Sequence, residues 1–147
     1  METLPYEIGE TAHAVKRVFA RRAAHLGITG AQGKVLLRLT RNPGLRQVEL
    51  ADILDIEPIT LTRMIDRLEE AGYVERAADP ADRRAWRLQL TDTAQPLVVK
   101  LKAIAAELVE EAFAGIDPED IKTTRRVLAR ARENVTRSAP INRASNQ

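Results

Sequence analysis

The chain has 147 residues, of which 44% are hydrophobic and 30% are charged. This length fits one ordinary domain with enough apolar residues for a core, and no apolar run is long enough to predict a membrane span. Cysteine is absent, which excludes disulfides, thiolate zinc sites and thiol-based redox sensing. The first residues are acidic and no apolar segment follows them, so we expect no signal peptide and a cytoplasmic protein.

The net charge of +2 is spread unevenly along the chain. Residues 1–40 contain six Lys or Arg and three Asp or Glu, residues 41–90 contain eight and ten, and residues 91–147 contain nine and eight. A protein that coats nucleic acid without specificity needs a basic surface. The net acidic middle segment therefore argues against that class, but it is compatible with a specific binder that positions a few arginines.

Two helices are predicted at the start of the chain. A proline suits the first turn of a helix, so the first helix is expected to begin at Pro5 and to run to about His25. Thr29 and Gln32 have the spacing of a capping box, which predicts a second helix that ends near Arg41. The side chains expected to face inward are Ile8, Ala12, Val15, Phe19, Val35, Leu36 and Leu39.

A helix-turn-helix is predicted next, with a third helix over residues 46–54 and a fourth over 58–71. Ala51 provides the small residue where the two helices cross. Asp55 occupies the turn position that often has a left-handed backbone, which Asp tolerates better than most residues. The side chains expected to face inward are Leu50, Ile53, Leu54, Leu61, Ile65 and Leu68.

A hairpin of two strands, over residues 73–76 and 86–91, follows the helix-turn-helix and is interpreted as a wing. Apolar and polar residues alternate in the second strand, as in a half-buried strand, and Trp86 is expected to pack on the core. The tip between the strands reads DPADRR over residues 79–84. Asp79 or Asp82 is expected to hold a tip arginine in place through a fork-like ion pair.

Two helices are predicted after the wing. Thr91 is expected to cap a long helix over residues 92–114, and Asp117 to cap a last helix that runs to about Arg137. The stripe of the long helix consists of Leu97, Leu101, Ile104, Leu108 and Val109. The polar residues 138–147 are expected to form a disordered tail.

Arginines on two surfaces predict contact with double-stranded DNA. If the fourth helix packs through its leucines, Thr60, Arg63 and Arg67 share the opposite face, where base and phosphate contacts belong. A tip arginine is suited to the narrow minor groove. A winged helix used only for protein contacts is the alternative, but such modules usually lack arginines on both surfaces. The candidate DNA-binding residues are Arg46, Gln47, Thr60, Thr62, Arg63, Arg67, Arg83 and Arg84.

Catalytic motifs are not recognisable in the sequence. No nucleophile motif, glycine-rich phosphate loop or carboxylate pair is apparent, so we expect no catalytic residues and no cofactor. His13 and His25 lie 12 residues apart on one helix and cannot chelate one metal ion within a chain, so no metal site is expected.

The element order and several motifs resemble the MarR family of bacterial regulators. The motifs are NPGLRQVELA at 42–51, LTRMIDRLE at 61–69, GYVER at 72–76 and DPADRRA at 79–85, followed by LQLT at 88–91 and Ala94. The pair at 56–57 and the stretch at 94–97 look most like the SlyA branch. The matching residues are concentrated over about residues 28–100, and outside this range only the order of the elements matches.

The resemblance implies a mainly α fold with a small β-hairpin wing, in which residues 29–91 form a winged helix-turn-helix. It implies a homodimer whose dimerisation helices lie within residues 1–28 and 92–137. The dimer would bind a pseudo-palindromic promoter operator and act as a repressor. By family position, Thr60 and Arg63 would face the major groove and Arg84 the minor groove.

Many relatives in this family respond to small aromatic acids or phenolics, which implies an effector. SlyA relatives often have an aromatic residue where this chain has Gly33, so we expect either a larger crevice here or the loss of its stacking wall. The hypothesis is an effector larger than salicylate, such as an aromatic acyl thioester, with Lys34, Arg38 or Arg17 meeting its negative charge. The candidate effector-binding residues are His13, Arg17, Gly33, Lys34 and Arg38.

Overall fold

A computed structural model describes residues 1–138, in one compact unit over residues 1–109 and a second from residue 110 onward. The helices are α1 Leu4–Ala24, α2 Gly30–Arg41, α3 Gln47–Leu54, α4 Pro58–Glu70, α5 Gln95–Ala112 and α6 Pro118–Ser138, and the strands are β1 Val74–Ala78 and β2 Trp86–Leu90. The predicted mainly α fold with a hairpin after a helix-turn-helix is therefore confirmed. Ser138 ends α6, and the rest of the predicted tail lies outside the described residues.

The first turn of α2 carries the predicted capping box. The Gln32 N–H donates to Thr29 Oγ1 at 3.1 Å, and the Thr29 N–H donates to Gln32 Oε1 at 3.0 Å. Two N–H groups that an isolated helix would leave unpaired are satisfied in this way. The helix then buries Val35, Leu36 and Leu39 as expected.

The core of the first unit lies beneath the inner faces of α2, α3 and α4 and against the hairpin. Its largest fully buried side chains include Leu36, Leu50, Leu61, Ile65 and Leu88. Because α4 packs through every third or fourth residue, its opposite face is left to solvent. The core therefore determines which side of α4 is exposed.

The turn between α3 and α4 depends on Asp55. Its backbone is left-handed, with φ 52° and ψ 49°, as the sequence predicted. The Ile56 N–H then donates to the Ala51 carbonyl at 2.9 Å, which closes the end of α3. Asp55 is the one non-glycine residue with a positive φ among residues 1–138.

The two wing strands pair antiparallel, from Val74 opposite Leu90 to Ala78 opposite Trp86. The outer edge of β2 is also hydrogen-bonded, because the Leu88 N–H donates to the Leu45 carbonyl at 2.9 Å and the Gly44 N–H donates to the Leu88 carbonyl at 3.1 Å. The segment before α3 thus pairs with β2 like a short third strand and ties the wing to the helix-turn-helix.

Some apolar residues that were expected inward are exposed, and those expectations are wrong for the single chain. Ile53 lies on the flank of α3, whose inner face is set by Leu50 and Ala51. Trp86 is 49% exposed because it pairs with Ala78 at the outer end of the hairpin, beyond the core. In the long helices the residues concerned are Ile8, Ala12, Val15 and Val109.

The start of the long helix after the wing also differs from the prediction. A short 3₁₀ turn over Asp92–Ala94 precedes α5, and Thr91 makes no side-chain cap. The Thr91 hydroxyl instead donates to the Gly72 carbonyl. Thr91 therefore fastens the end of the wing to the turn after α4, and the helix proper begins at Gln95.

The second unit contains α6, whose N-terminus matches the prediction. The Glu119 N–H donates to Asp117 Oδ1 at 2.8 Å, which is the bond expected of an N-cap aspartate. No side chain of α6 is buried in the single chain.

None of the helices within residues 1–138 is long and apolar enough to cross a membrane.

Candidate nucleic-acid interface

The outer face of α4 is polar and open. Leu61, Ile65 and Leu68 are buried, and this packing leaves Thr60 and Arg63 exposed on the other side of the helix. Pro58 lies in the first turn, where its missing N–H costs no hydrogen bond. The face of α4 that is predicted to contact DNA is therefore exposed.

Thr60, Arg63 and Arg67 share one groove. Together with Thr29, Gln32 and Met64 they line a surface depression of about 290 Å³. Within residues 1–138 neither Arg63 nor Arg67 has an ion-pair partner. Their guanidinium donors are therefore available to an incoming phosphate or base edge.

The wing tip presents two further arginines. Arg83 and Arg84 are exposed, and no carboxylate among the described residues pairs with either guanidinium. Asp82 instead accepts a hydrogen bond from the Arg84 backbone N–H at 3.0 Å. The expected fork between a wing aspartate and a tip arginine is therefore absent, and Asp82 shapes the turn.

Gln47 and Thr62 are bonded to each other. The Gln47 amide Nε2 donates to Thr62 Oγ1 at 2.8 Å, and the Thr62 hydroxyl donates to the Pro58 carbonyl at 2.9 Å. Arg76 Nε donates to Gln47 Oε1 at 3.3 Å. Both predicted DNA-binding residues thus help to hold α3 against α4.

Arg76 is a residue that the sequence analysis did not single out. Its side chain is only 15% exposed, and its guanidinium contacts Asp66 at 2.7 Å and Glu69 at 3.2 Å. It also donates to the Thr62 carbonyl at 3.3 Å. Arg76 lies two residues after the buried Val74, so strand alternation places both on the inner face. An inward arginine implies carboxylate partners, and this signal was available in the sequence.

Asp79 is the centre of a second charged cluster. Its side chain is fully buried, and its Oδ2 accepts from Arg46 Nε at 2.7 Å and lies 3.3 Å from Arg87 Nε. Its Oδ1 accepts from the Ala81 N–H at 2.9 Å. Asp79 therefore holds arginines at the base of the wing, whereas either Asp79 or Asp82 was expected to hold one at the tip.

The environment of Asp79 stabilises its charged form. The hydrogen bond from the Ala81 N–H lowers the pKa of Asp79, and the hydrogen bond and charge of Arg46 lower it further, as does the charge of Arg87. Desolvation acts in the opposite direction but does not prevail. The cluster is therefore a carboxylate held between two guanidinium groups.

Apolar side chains border the exposed arginines. Val48 and Ile59 are exposed near the start of α3 and of α4, as is Trp86 at the start of β2. Val48 and Trp86 line a small depression of about 130 Å³ together with Arg46 and Arg84. This surface can make van der Waals contact with sugars or thymine methyl groups.

A separate, basic depression is lined in part by residues of α2. Lys34 and Arg38, two of the predicted effector residues, line a cavity of about 400 Å³. Its other charged residues are Arg41 and Lys102, and its remaining lining residues are Leu37, Thr40, Leu54 and Ala105. The cavity therefore combines four cations with an apolar floor.

Partial burial and neighbouring positive charges disfavour the charged form of Lys34. Partial burial lowers the pKa of Lys34, and the charges of Lys16 and Arg38 lower it further. A bound anion would offset that repulsion and raise the pKa again.

Gly33 lies close to two apolar side chains. It is buried in α2, and a Cβ at this position would lie 3.0 Å from the ring of Phe19 and 3.3 Å from Leu101. The Phe19 ring and Leu101 thus lie directly beside Gly33 in the single chain, and a larger crevice or a lost stacking wall stays a prediction. His13 and Arg17 are exposed on α1 and are not among the residues that line the basic cavity.

Comparison with known proteins agrees with this architecture. The sequence model of the MarR family matches residues 28–86. The transcriptional regulator PA3341 is 35% identical to this chain, with a TM-score of 0.85, and the match covers 91% of this chain and 98% of the other. A MarR transcriptional regulator from Methanosarcina mazei Go1 is 29% identical, with a TM-score of 0.84 over 95% of this chain and 100% of the other.

A third solved structure was determined with DNA. A mutant MarR from E. coli, complexed with operator DNA, is 27% identical, with a TM-score of 0.75 over 87% of this chain and 92% of the other. The family match, the near-complete coverage and the shared winged-helix architecture lead to one assignment. This chain belongs to the MarR family of transcriptional regulators.

Proposed function

We propose that this DNA-binding transcriptional regulator is a repressor that binds a pseudo-palindromic operator as a homodimer and is released by an anionic aromatic effector. The observation that carries the proposal is the set of exposed guanidinium groups on α4 and on the wing tip. None of them has a carboxylate partner among residues 1–138.

The chemistry of each surface suits a different part of DNA. Arg63 on α4 can donate two parallel hydrogen bonds to a guanine edge in the major groove, and Thr60 can contact a thymine methyl group or a phosphate. Arg84 on the wing suits the more negative minor groove, with Arg83 on a phosphate. The MarR relative solved with operator DNA supports contact with DNA by similarity.

Exposed apolar residues support the homodimer. Leu4, Tyr6 and Ile8 are exposed on α1, and Val127 and Val135 are exposed on α6. Apolar side chains clustered on long helices favour burial against another chain. In a dimer the α4 helices of the two copies would lie about one turn of DNA apart, roughly 34 Å, and each would contact one half-site of an operator.

The basic cavity supports an anionic effector with an apolar body. Lys34, Arg38, Arg41 and Lys102 would meet the negative charge, and the apolar floor would contact a ring or chain. Some dimer geometries place the two α4 helices at a distance that does not match the half-sites. An effector that binds such a geometry more tightly shifts the population away from the DNA-bound form. Repression would then be relieved.

The test of DNA binding is selection from random duplexes, followed by fluorescence anisotropy with excess competitor and a salt series. We expect a palindromic consensus, saturable binding that resists competitor and a steep salt slope. Arg63→Ala should weaken binding, whereas Arg125→Ala on α6 is the matched control and should not. If selection returns no consensus and binding ignores sequence, the alternative of a protein-contact module holds.

The effector is tested by calorimetry with salicylate and with a bulkier anionic aromatic acyl thioester. We expect tighter binding of the larger ligand, and its loss in Lys34→Ala. Equal affinity for both ligands would contradict the hypothesis of a large effector.

A further inference from the structure

We propose that Asp79 is a positioning residue for DNA binding: it orients the Arg46 guanidinium toward a phosphate and fastens the wing to the start of α3. This inference rests on the proposed function, because it assumes that the wing and the helix-turn-helix contact DNA together. It assigns a role to the one charged side chain that is buried among residues 1–138.

The position of Asp79 in the fold is unusual for a carboxylate. It follows β1 directly, at the base of the tip, and its side chain has no solvent exposure. A buried charge is costly unless it is paired and hydrogen-bonded. Asp79 satisfies this condition through Arg46 before α3, through Arg87 in β2 and through the Ala81 N–H. One carboxylate thus connects three separate elements.

The Arg46 guanidinium is fixed along one edge only. Its Nε donates to Asp79 at 2.7 Å, while 39% of the side chain remains exposed. Its two Nη groups make no hydrogen bond within the described part of the chain. An arginine held in this way presents its remaining donors in a set direction and loses less side-chain entropy when it meets a phosphate.

The same carboxylate shapes the base of the wing. The Asp79 N–H donates to the Ala85 carbonyl at 3.1 Å, which closes the tip, and Arg87 Nη1 donates to the Gly44 carbonyl at 3.4 Å. Arg84 lies within the loop closed by the first of these bonds. The distance between the tip arginine and the start of α3 is therefore set by contacts that converge on Asp79.

The first experiment compares wild type with Asp79→Asn on the selected operator. Asparagine keeps an acceptor for the Ala81 N–H and removes the negative charge that holds Arg46. We expect about a tenfold weaker affinity, the loss typical of one charge-assisted hydrogen bond. We also expect the salt slope to fall by about one for each subunit. Asp82→Asn, at the exposed tip, is the matched control and should keep the wild-type slope.

A double-mutant cycle separates a positioning role from a merely structural one. If Asp79 acts through Arg46, Asp79→Asn has little further effect on affinity in an Arg46→Gln background, because the phosphate contact is already lost. Full additivity of the two losses would overturn the inference. The same holds if Asp79→Asn binds operator like wild type while Arg63→Ala does not.

A second variant covers the case in which Asp79→Asn fails to fold. Arg46→Lys keeps a cation beside Asp79, but its ammonium has no second edge to offer to a phosphate. We expect this variant to fold like wild type and to show the reduced salt slope. An unchanged slope would overturn the inference. Failure of wild type to select any consensus would instead contradict the proposed function itself.

Discussion

The arginines of the winged helix fall into two groups with opposite surroundings. Those at the base of the wing are paired with carboxylates, whereas those on the outer face of α4 and at the wing tip have no ion-pair partner among residues 1–138. The paired group is Arg46, Arg76 and Arg87, and the unpaired group is Arg63, Arg67, Arg83 and Arg84. Residues of the same type thus hold the fold together in the paired group, where Arg46 alone is proposed to contact DNA as well, and they remain fully available to a ligand in the unpaired group.

This division explains why net charge is a poor guide to DNA binding in this chain. Residues 41–90 have two more acids than bases, yet Asp66, Glu69 and Asp79 are all engaged with arginines of the paired group. Their charge is neutralised locally, so it does not oppose a phosphate that approaches the unpaired group. The positions of the arginines decide the function, and the total charge does not.

The largest effect is expected from an unpaired residue, Arg63. Arg63→Ala should cost roughly 1–3 kcal/mol of binding free energy at one base pair in each half-site, and it should relax sequence preference there. Its free energy of unfolding should stay within about 0.5 kcal/mol of wild type, because the side chain is exposed. Anisotropy on a set of single-base operator variants, together with urea unfolding, measures both quantities.

Arg76, a paired residue, should show the reverse pattern. Arg76→Ala leaves Asp66, Glu69 and Gln47 without their shared partner, so we expect a free energy of unfolding lower by about 1–3 kcal/mol. Arg67→Ala removes the same side chain from the unpaired group and should change stability by less than about 0.5 kcal/mol. Equal stability of the two variants would contradict the division into two groups.

Arg84, at the wing tip, tests the unpaired group at a second position. Arg84→Ala should weaken binding to all operator variants alike and should lower the salt slope by about one for each subunit. Unlike Arg63→Ala, it should leave the base preference in the major groove unchanged. A changed consensus in a repeated selection from random DNA would show that Arg84 reads bases there.

Local patterns in the sequence predicted most of the fold. The spacing of Thr29 and Gln32 indicated the capping box, and the fourth helix was expected over 58–71, one residue longer than α4. Asp55 was identified as the left-handed residue of the turn. These features depend on residues a few positions apart, and the rules of helix periodicity and capping act at that range.

The ion pair between Arg46 and Asp79 could not be predicted in the same way. Arg46 and Asp79 are 33 residues apart, and their contact exists only after the wing has folded back on the segment before α3. The sequence therefore indicates Arg46 and Gln47 as candidate DNA-binding residues but does not show which side chains bind them. It also placed Trp86 inward, because alternation along a strand does not show where the core ends.

A pH titration of unfolding should show the weakest of these effects, at Asp79, which binds two arginines of the paired group. The folded protein holds the pKa of Asp79 below its ordinary value of 3.8, so the carboxylate stabilises the fold fully above that pH. The stabilisation is lost as the pH falls through the lowered pKa. The difference in unfolding free energy between wild type and Asp79→Asn should therefore be constant near neutrality and shrink below about pH 4. Carboxylates common to both proteins cancel in this difference, so a gap that widens toward acid would mean that Asp79 is not stabilised by Ala81 and its two arginines.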